Sequence, residues 1–230
     1  MLAQPDLSTG YLSVRSFPMA VVIVGVDGWL EYTLPAVESI LKYEPNVPIV
    51  VVDAASKIPY RNEEESDLPD VFHVRLDQSF SYAGAINAGM EFADADLSIV
   101  INNDVICSAP FLHITRLLPR DSLYGMQLIE FGDFRWLGGW IYAISRECRE
   151  AVGPFDEQFE ACGFEDLDYC IRARLAGFSI ELMHLPFRHL WGKTRWGIPA
   201  YPQVRAQNMN RVQVKHGISI GESWMWRVYE

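Results

Sequence analysis

MAVVIVG, at residues 19–25, is an apolar run rich in β-branched side chains that closes on glycine. A half-exposed strand alternates polar with apolar residues, so an unbroken run of this length predicts a strand buried on both faces. PIVVVD at residues 48–53 and LSIVIN at residues 97–102 share this character, and each ends on a polar residue. Between the first two, residues 31–43 set Leu34, Val37, Ile40 and Leu41 on one helical face. Pro35 falls in the first turn, where its missing N–H does no harm. Residues 71–75 read as a short strand and residues 82–95 as a helix of small and apolar residues. Strand, helix, strand at this spacing predicts right-handed βαβ units: an α/β fold with a Rossmann-like, mainly parallel central sheet flanked by helices.

The pattern changes after about residue 120. Residues 123–131 and 136–144 look like longer strands joined by a turn at Gly132-Asp133, a smaller mixed β segment in the second half. Residues 165–176 carry Leu167, Ile171 and Leu175 on one helical face, with Gly177 as the stop, and residues 178–184 suit a further strand. From Pro186 onward Trp, Arg, Gly and Pro accumulate, which suggests a lid or tail. The expectation is one domain over residues 1–230, with an N-terminal arm at 1–18, halves at 19–120 and 121–195, and a C-terminal lid or tail at 196–230.

Composition narrows the function classes. The 230 residues are 50% hydrophobic and 21% charged, an ordinary globular mix. A formal net charge of −11 argues against a nucleic-acid binder, whose affinity comes from excess positive charge. No apolar run reaches the roughly 18–20 residues that cross a bilayer, and the first residues lack a basic leader. Cys107, Cys148, Cys162 and Cys170 form no CxxC pair and read as reduced core thiols, so a cytoplasmic location is expected.

In open α/β sheets, ligands bind beyond the carboxyl ends of the strands. Three strands here end near Gly25 and Asp27, at Asp53, and at Asn102-Asn103-Asp104. Neither a GxGxxG nor a GxxxxGK[ST] loop is present, which excludes the common dinucleotide and P-loop phosphate sites. The Asp53 carboxylate suits either a base or ribose, or the capping of a turn. Asp104 suits a half-site for a hard divalent cation, although Asn-Asp after a strand is also turn chemistry. Glu165, Asp166 and Asp168 open a helix, where they either complement its dipole or supply a general base. His189 is a metal ligand, a phosphate partner or a surface histidine. Trp140, Trp191 and Trp196 stack on a sugar face or pack in the core, and Trp224 and Trp226 lie in the tail.

Together these segments resemble the family 2 glycosyltransferases with the GT-A fold, particularly the rhamnosyltransferase-like branch, from about residue 20 to residue 194. VVVDAAS at residues 50–56 stands where that family has an apolar strand and an Asp-rich turn. FSYAGAINAG at residues 80–89 is similar to its FSYxxAINxG helix start, and INND at residues 101–104 resembles its DxD motif with Asn102 for the first acid. Gly138-Gly139-Trp140, VGPFDE at residues 152–157, FEDLD at residues 164–168 and Arg172 resemble its GG…FDE…EDxDxxxR block. His189, Gly192 and Thr194 resemble its closing HxxGxT element.

The resemblance implies metal-dependent, inverting transfer of a hexosyl or deoxyhexosyl group from a UDP-, dTDP- or GDP-linked donor to a hydroxyl of a glycan or other acceptor. It assigns residues 19–120 to the nucleotide sugar and residues 121–195 to the acceptor. Gly25, Asp53, Gly84, Asn87, Asn103, Gly139 and Trp140 would bind the donor, with Asp53 on the nucleoside. Asp104 and His189 would hold Mn²⁺ or Mg²⁺, and Asp166, with Glu165, would deprotonate the acceptor. No nucleic-acid partner and no transmembrane segment are expected, and peripheral membrane contact is left open. Two rival readings share these acids: a sugar-nucleotide or glycan-binding module without turnover, and a sugar-phosphate nucleotidyltransferase. The latter normally needs a basic, glycine-rich first loop, which residues 24–29 lack.

Overall fold

Residues 17–60, 70–76, 81–190, 201–221 and 227–229 are described by the computed structural model. The three apolar runs form β1 (Ala20–Gly25), β2 (Ile49–Ala54) and, after β3 (Val71–Leu76), β4 (Leu97–Asn102). The connections are a π-helical turn at Trp29–Thr33 that runs into α1 (Leu34–Tyr43), and α2 (Tyr82–Ala93). The helix expected from residue 31 therefore begins as a wider turn, in which the N–H groups of Tyr32 and Thr33 both bond the Gly28 carbonyl.

β1 pairs in parallel with β2 and β4, and β2 with β3. Side chains on opposite faces of β1 enter separate cores, as period-2 geometry requires. Val22 and Val24 join Ala85 and Ile86 of α2, whereas Val21 and Ile23 join Val37 and Ile40 of α1. Helix α2 lies so close to the sheet that a Cβ on Gly89 would stand 2.4 Å from Val22 Cγ1 and 2.8 Å from Val52 Cγ2.

The second half contributes β5 (Val105–Cys107), α3 (Leu112–Thr115), β6 (Ser122–Gly125), β7 (Leu128–Phe131), β8 (Phe134–Leu137) and β9 (Ile141–Ser145). Then follow α4 (Arg146–Val152), α5 (Glu165–Leu175), β10 (Ser179–Leu182), β11 (Phe187–His189), α6 (Tyr201–His216) and β12 (Arg227–Tyr229). The main sheet has the order β10-β6-β9-β4-β1-β2-β3; β11 pairs with β5, and β7 lies between β12 and β8. Strand β9 runs antiparallel to both neighbours, β4 and β6.

Each of the two long strands expected over 123–131 and 136–144 is broken in two. β6 and β9 belong to the main sheet and β7 and β8 to the small one, with the turn at Gly132-Asp133 where expected. The breaks face each other: the Gly138 N–H bonds the Gln127 carbonyl at 2.9 Å, where the chain crosses between sheets. Hydrophobic patterning does not register such a crossing, because apolar residues continue through it from the fully buried β6 and β9 into β7 and β8. Helix α6 falls within the stretch expected as a C-terminal lid or tail. Only Asn208 and Val212 are buried on it, so it has no apolar stripe to read.

The four cysteines form no disulfide. Among the described residues no helix is long and apolar enough to cross a membrane. Residues 1–16 of the expected arm, together with Trp191, Gly192, Thr194, Trp196, Trp224 and Trp226, lie outside the described residues.

Candidate active site

Strand register places the first polar groups side by side at the carboxyl rim of the sheet. Gly25 pairs with Asp53 and Val24 with Asn102. Because β9 runs the other way, its first residue, Ile141, pairs with Ile101. Gly139 and Trp140 therefore arrive at the same rim from the second half of the chain.

Asp53 is buried and its carboxylate is heavily used. Oδ1 accepts from the Ser56 N–H at 2.9 Å, and Oδ2 accepts from the Tyr60 N–H at 2.9 Å and from the Arg75 guanidinium. This carboxylate shapes the loop after β2, the turn-capping alternative raised by its position. Gly25 is small for a local reason: a Cβ there would stand 2.4 Å from Asn103 Nδ2. The Asn103 amide, 1% exposed, donates to Thr33 Oγ1 at 3.0 Å, while its Oδ1 is buried with no hydrogen-bond partner among the described residues. An orphaned acceptor at a strand end is the kind of atom a ligand satisfies.

Asp104 and His189 are 85 positions apart in sequence and meet at the rim. The pairing of β11 with β5 sets His189 opposite Val105, and the Leu190 N–H bonds the Asp104 carbonyl at 2.8 Å. His189 Nε2 lies 3.1 Å from Asp104 Oδ1, with the carboxylate fully buried. Two ligands on adjacent corners of an octahedral ion with bonds of about 2.1 Å stand about 3 Å apart, so this pair fits a small divalent cation. No group of three or more His, Cys, Asp or Glu is gathered for a metal among the described residues. The remaining positions would fall to water and ligand oxygens, the usual habit of Mg²⁺-like ions. Trp140 stacks on the His189 ring, with centroids 5.0 Å apart and planes inclined by 3°, and fixes its orientation. The Trp140 Nε1–H is buried and unpartnered among the described residues.

Tyr82 joins this corner to the acidic one. Its hydroxyl lies 2.5 Å from both Asn102 Oδ1 and the Gly139 carbonyl. Burial raises its pKa well above the ordinary tyrosine value, so it remains a donor. On the other side of Gly139 lies Asp166: a Cβ built on that glycine would stand 3.5 Å from Asp166 Oδ2 and 3.5 Å from the Tyr142 hydroxyl. Asp166 Oδ1 accepts from the Leu167 N–H at 2.8 Å. Burial pushes the Asp166 carboxyl up to about 6, against the pull of backbone donors and of Arg205. Glu165 is deeper, 4% exposed, and burial together with the Asp166 charge raises it further. Both carboxyls of this adjacent pair are raised by burial, and their titrations are linked.

Gly84 and Asn87 sit on α2 against residues 155–157. The Asn87 amide donates to the Phe155 carbonyl and to Glu157 Oε1, each at 2.9 Å, and its Oδ1 accepts from the Phe155 N–H at 2.8 Å. Asn87 thereby clamps the loop leading to the acids. Asn87→Ala leaves both Phe155 backbone groups unpaired and is expected to lower stability by about 2–3 kcal/mol in chemical denaturation. A loss under about 0.5 kcal/mol would deny the clamp. Asp168 is structural as well, fully buried between Arg172 Nε at 2.9 Å, Lys215 Nζ at 2.7 Å and His216 Nε2 at 2.8 Å. Tyr82, Tyr142 and Arg205 were not singled out from sequence; Tyr82 stands inside the quoted FSYAGAINAG segment, but the other two carry no motif.

Residues 21–119 match the family model described as glycosyl transferase family 2. No curated protein matches the chain in sequence. Among solved structures, GalNAc-T7 with UDP, GalNAc and Mn²⁺ superposes with a TM-score of 0.65 at 15% identity, over 86% of this chain and 48% of that one. Staphylococcus aureus TarS 1–349 with UDP-GlcNAc gives 0.63 at 12% identity, over 86% of this chain and 66% of that one. The mannosyltransferase PcManGT from Pyrobaculum calidifontis, with GDP-Man and Mn²⁺, gives 0.59 at 17% identity, over 94% and 69%. The chain thus spans about half of GalNAc-T7 and about two thirds of the other two. At these identities the likeness is one of fold, and that fold is GT-A-like.

Proposed function

We propose, from the premise that residues 21–119 carry the glycosyl transferase family 2 signature, that this chain transfers a sugar from a nucleotide-diphosphate donor to an acceptor hydroxyl with inversion. The observation that carries the reading is the placement of the Asp104–His189 pair and the Asp166 carboxylate on either side of Gly139, Trp140 and Tyr82. One flank suits a leaving diphosphate and the other an incoming hydroxyl.

Asp104 and His189 would hold the cation, which when bound neutralises charge on the leaving diphosphate. The sugar C1–O bond breaks with oxocarbenium character. Asp166 takes the acceptor proton at a carboxylate oxygen as the acceptor oxygen attacks from the face opposite the diphosphate, which inverts the anomeric centre. Asn103 Oδ1 and Trp140 Nε1 offer the donor one acceptor and one hydrogen. Asp53 supports the nucleoside by holding residues 54–60 in place. The structural neighbours described with ligands carry UDP and GalNAc, UDP-GlcNAc, and GDP-Man, so the donor is kept at the level of a nucleotide sugar, without preference for a deoxyhexose.

The test is incubation with a panel of UDP-, GDP- and dTDP-sugars, with and without Mn²⁺. Metal-dependent release of nucleoside diphosphate is the expected result. Binding without release would favour the non-catalytic module, and pyrophosphate formation from a sugar phosphate and a nucleoside triphosphate would favour the nucleotidyltransferase.

A pH profile follows from the raised Asp166. The base works only when ionised, so kcat/KM is expected to fall as pH drops through about 6. An ordinary exposed aspartate would place that limb near pH 4. A profile flat down to pH 5 would count against Asp166 as the base.

A further inference from the structure

Helix α6 lies across the loop that delivers the acids, and its contacts run in order along it. Asn208, fully buried, donates to the Glu160 carbonyl at 2.8 Å, and Arg211 donates to the Gln158 carbonyl. Lys215 reaches both Asp156 and Asp168, each at 2.7 Å, and His216 reaches Asp168. The loop needs such support, because Ala161, Gly163 and Phe164 all adopt left-handed backbone angles, with φ of 51°, 106° and 72°. For alanine and phenylalanine that conformation is strained and persists only where neighbours enforce it. At the end nearest the acids stands Arg205. Its guanidinium carbon lies 4.9 Å above the centre of the Phe164 ring, and its Cγ is 3.7 Å from where a Gly163 Cβ would be.

We propose that Arg205 is a positioning residue of the active site: it holds the Phe164 turn by stacking on its ring and sets a fixed positive charge beside the Asp166 carboxylate. The assignment rests on Asp166 being the acceptor's base. Burial raises Asp166, and Arg205 opposes that rise. Among the described residues, the other titratable groups that interact with this carboxylate include Glu165 and Cys170 on its own helix, Tyr82 on α2 and Tyr142 on β9, while Asp168, further along α5, acts on Glu165. Both tyrosines and the cysteine are raised by burial and stay neutral in the working range, and Glu165 and Asp168 are acids. Among the described residues Arg205 is the cation that opposes the rise at Asp166, and its removal has a definite sign. A nearby opposite charge favours the ionised carboxylate, so without it the Asp166 midpoint moves up.

The experiment compares wild type, Arg205→Gln and Arg205→Lys by carboxyl ¹³C NMR of aspartate-labelled protein. The Asp166 signal is assigned by its disappearance in Asp166→Asn, and thermal melts establish that each variant folds. Arg205→Gln is expected to raise the Asp166 midpoint by about half to one pH unit, with Arg205→Lys close to wild type. In kinetics, Arg205→Gln then loses roughly two- to fivefold in kcat/KM at pH 6 and little at pH 8. An unchanged midpoint in a folded Arg205→Gln protein overturns the proposal, as does an equal, pH-independent loss in both variants, which would leave only a structural clamp. Full turnover in Asp166→Asn would remove the base assignment itself, a separate failure read from a separate variant.

Discussion

Asp166→Asn is expected to reduce turnover by roughly 10²–10⁴-fold, the span general-base assistance usually covers, while donor binding stays close to wild type. The substitution keeps shape and still accepts the Leu167 N–H that Asp166 Oδ1 accepts at 2.8 Å. What it removes is the proposed proton acceptor. Single-turnover kinetics with saturating donor, alongside a direct measure of nucleotide affinity, checks both halves of the statement. A fall in affinity that matches the fall in rate would mean that Asp166 supports the ground state, and the base would have to be sought elsewhere. The change also relieves Glu165 of its charged neighbour. The raised Glu165 pKa should therefore come down, because Asp166 contributes to that elevation.

The second large effect concerns Asp104→Asn. The carboxylate is fully buried 3.1 Å from His189 Nε2, and the amide fills the same space with a neutral oxygen. Loss of a charged ligand from a two-residue site is expected to weaken Mn²⁺ binding by on the order of 100-fold or more, since outer-shell changes alone cost 10–100-fold. Mn²⁺ titration of the protein by paramagnetic resonance reads this without any turnover. Trp140, stacked on His189, supplies an optical reading of the same event, with Trp140→Phe as its control. Equal Mn²⁺ affinity in wild type and Asp104→Asn would move the cation away from this corner.

Much of the fold was legible because β1, β2 and β4 are buried on both faces, and a run such as MAVVIVG has few other stable uses. Their carboxyl ends identified the rim, and the meeting of Asp104 with His189 required only that both motifs belong to one cleft. The sequence was silent where different physics decides. The crossing from β6 to β7 depends on Gly138 lying against Gln127, a contact between residues of ordinary turn and strand chemistry. Helix α6 is held by Asn208, Arg211, Lys215 and His216, so its evidence lies in long-range polar pairs and not in periodicity. The clamp made by Asn87 could not be read from position, since its partners are the Phe155 backbone and the Glu157 side chain, 68 and 70 residues away. Asp53 allowed two readings for the same reason, and Arg75 on the neighbouring strand accounts for part of its charge.

The reversed strand β9 is tied by backbone hydrogen bonds on both edges, to β4 on one side and β6 on the other. It therefore acts as a rivet between the β10-β6 edge of the main sheet and its parallel β4-β1-β2-β3 portion. A clamshell closure, in which two lobes swing about a hinge, would tear that ladder and is not open to this protein. Whatever adjustment accompanies a catalytic cycle must take place in the segments above the sheet, and labels on two strands either side of β9 should keep a constant separation throughout turnover.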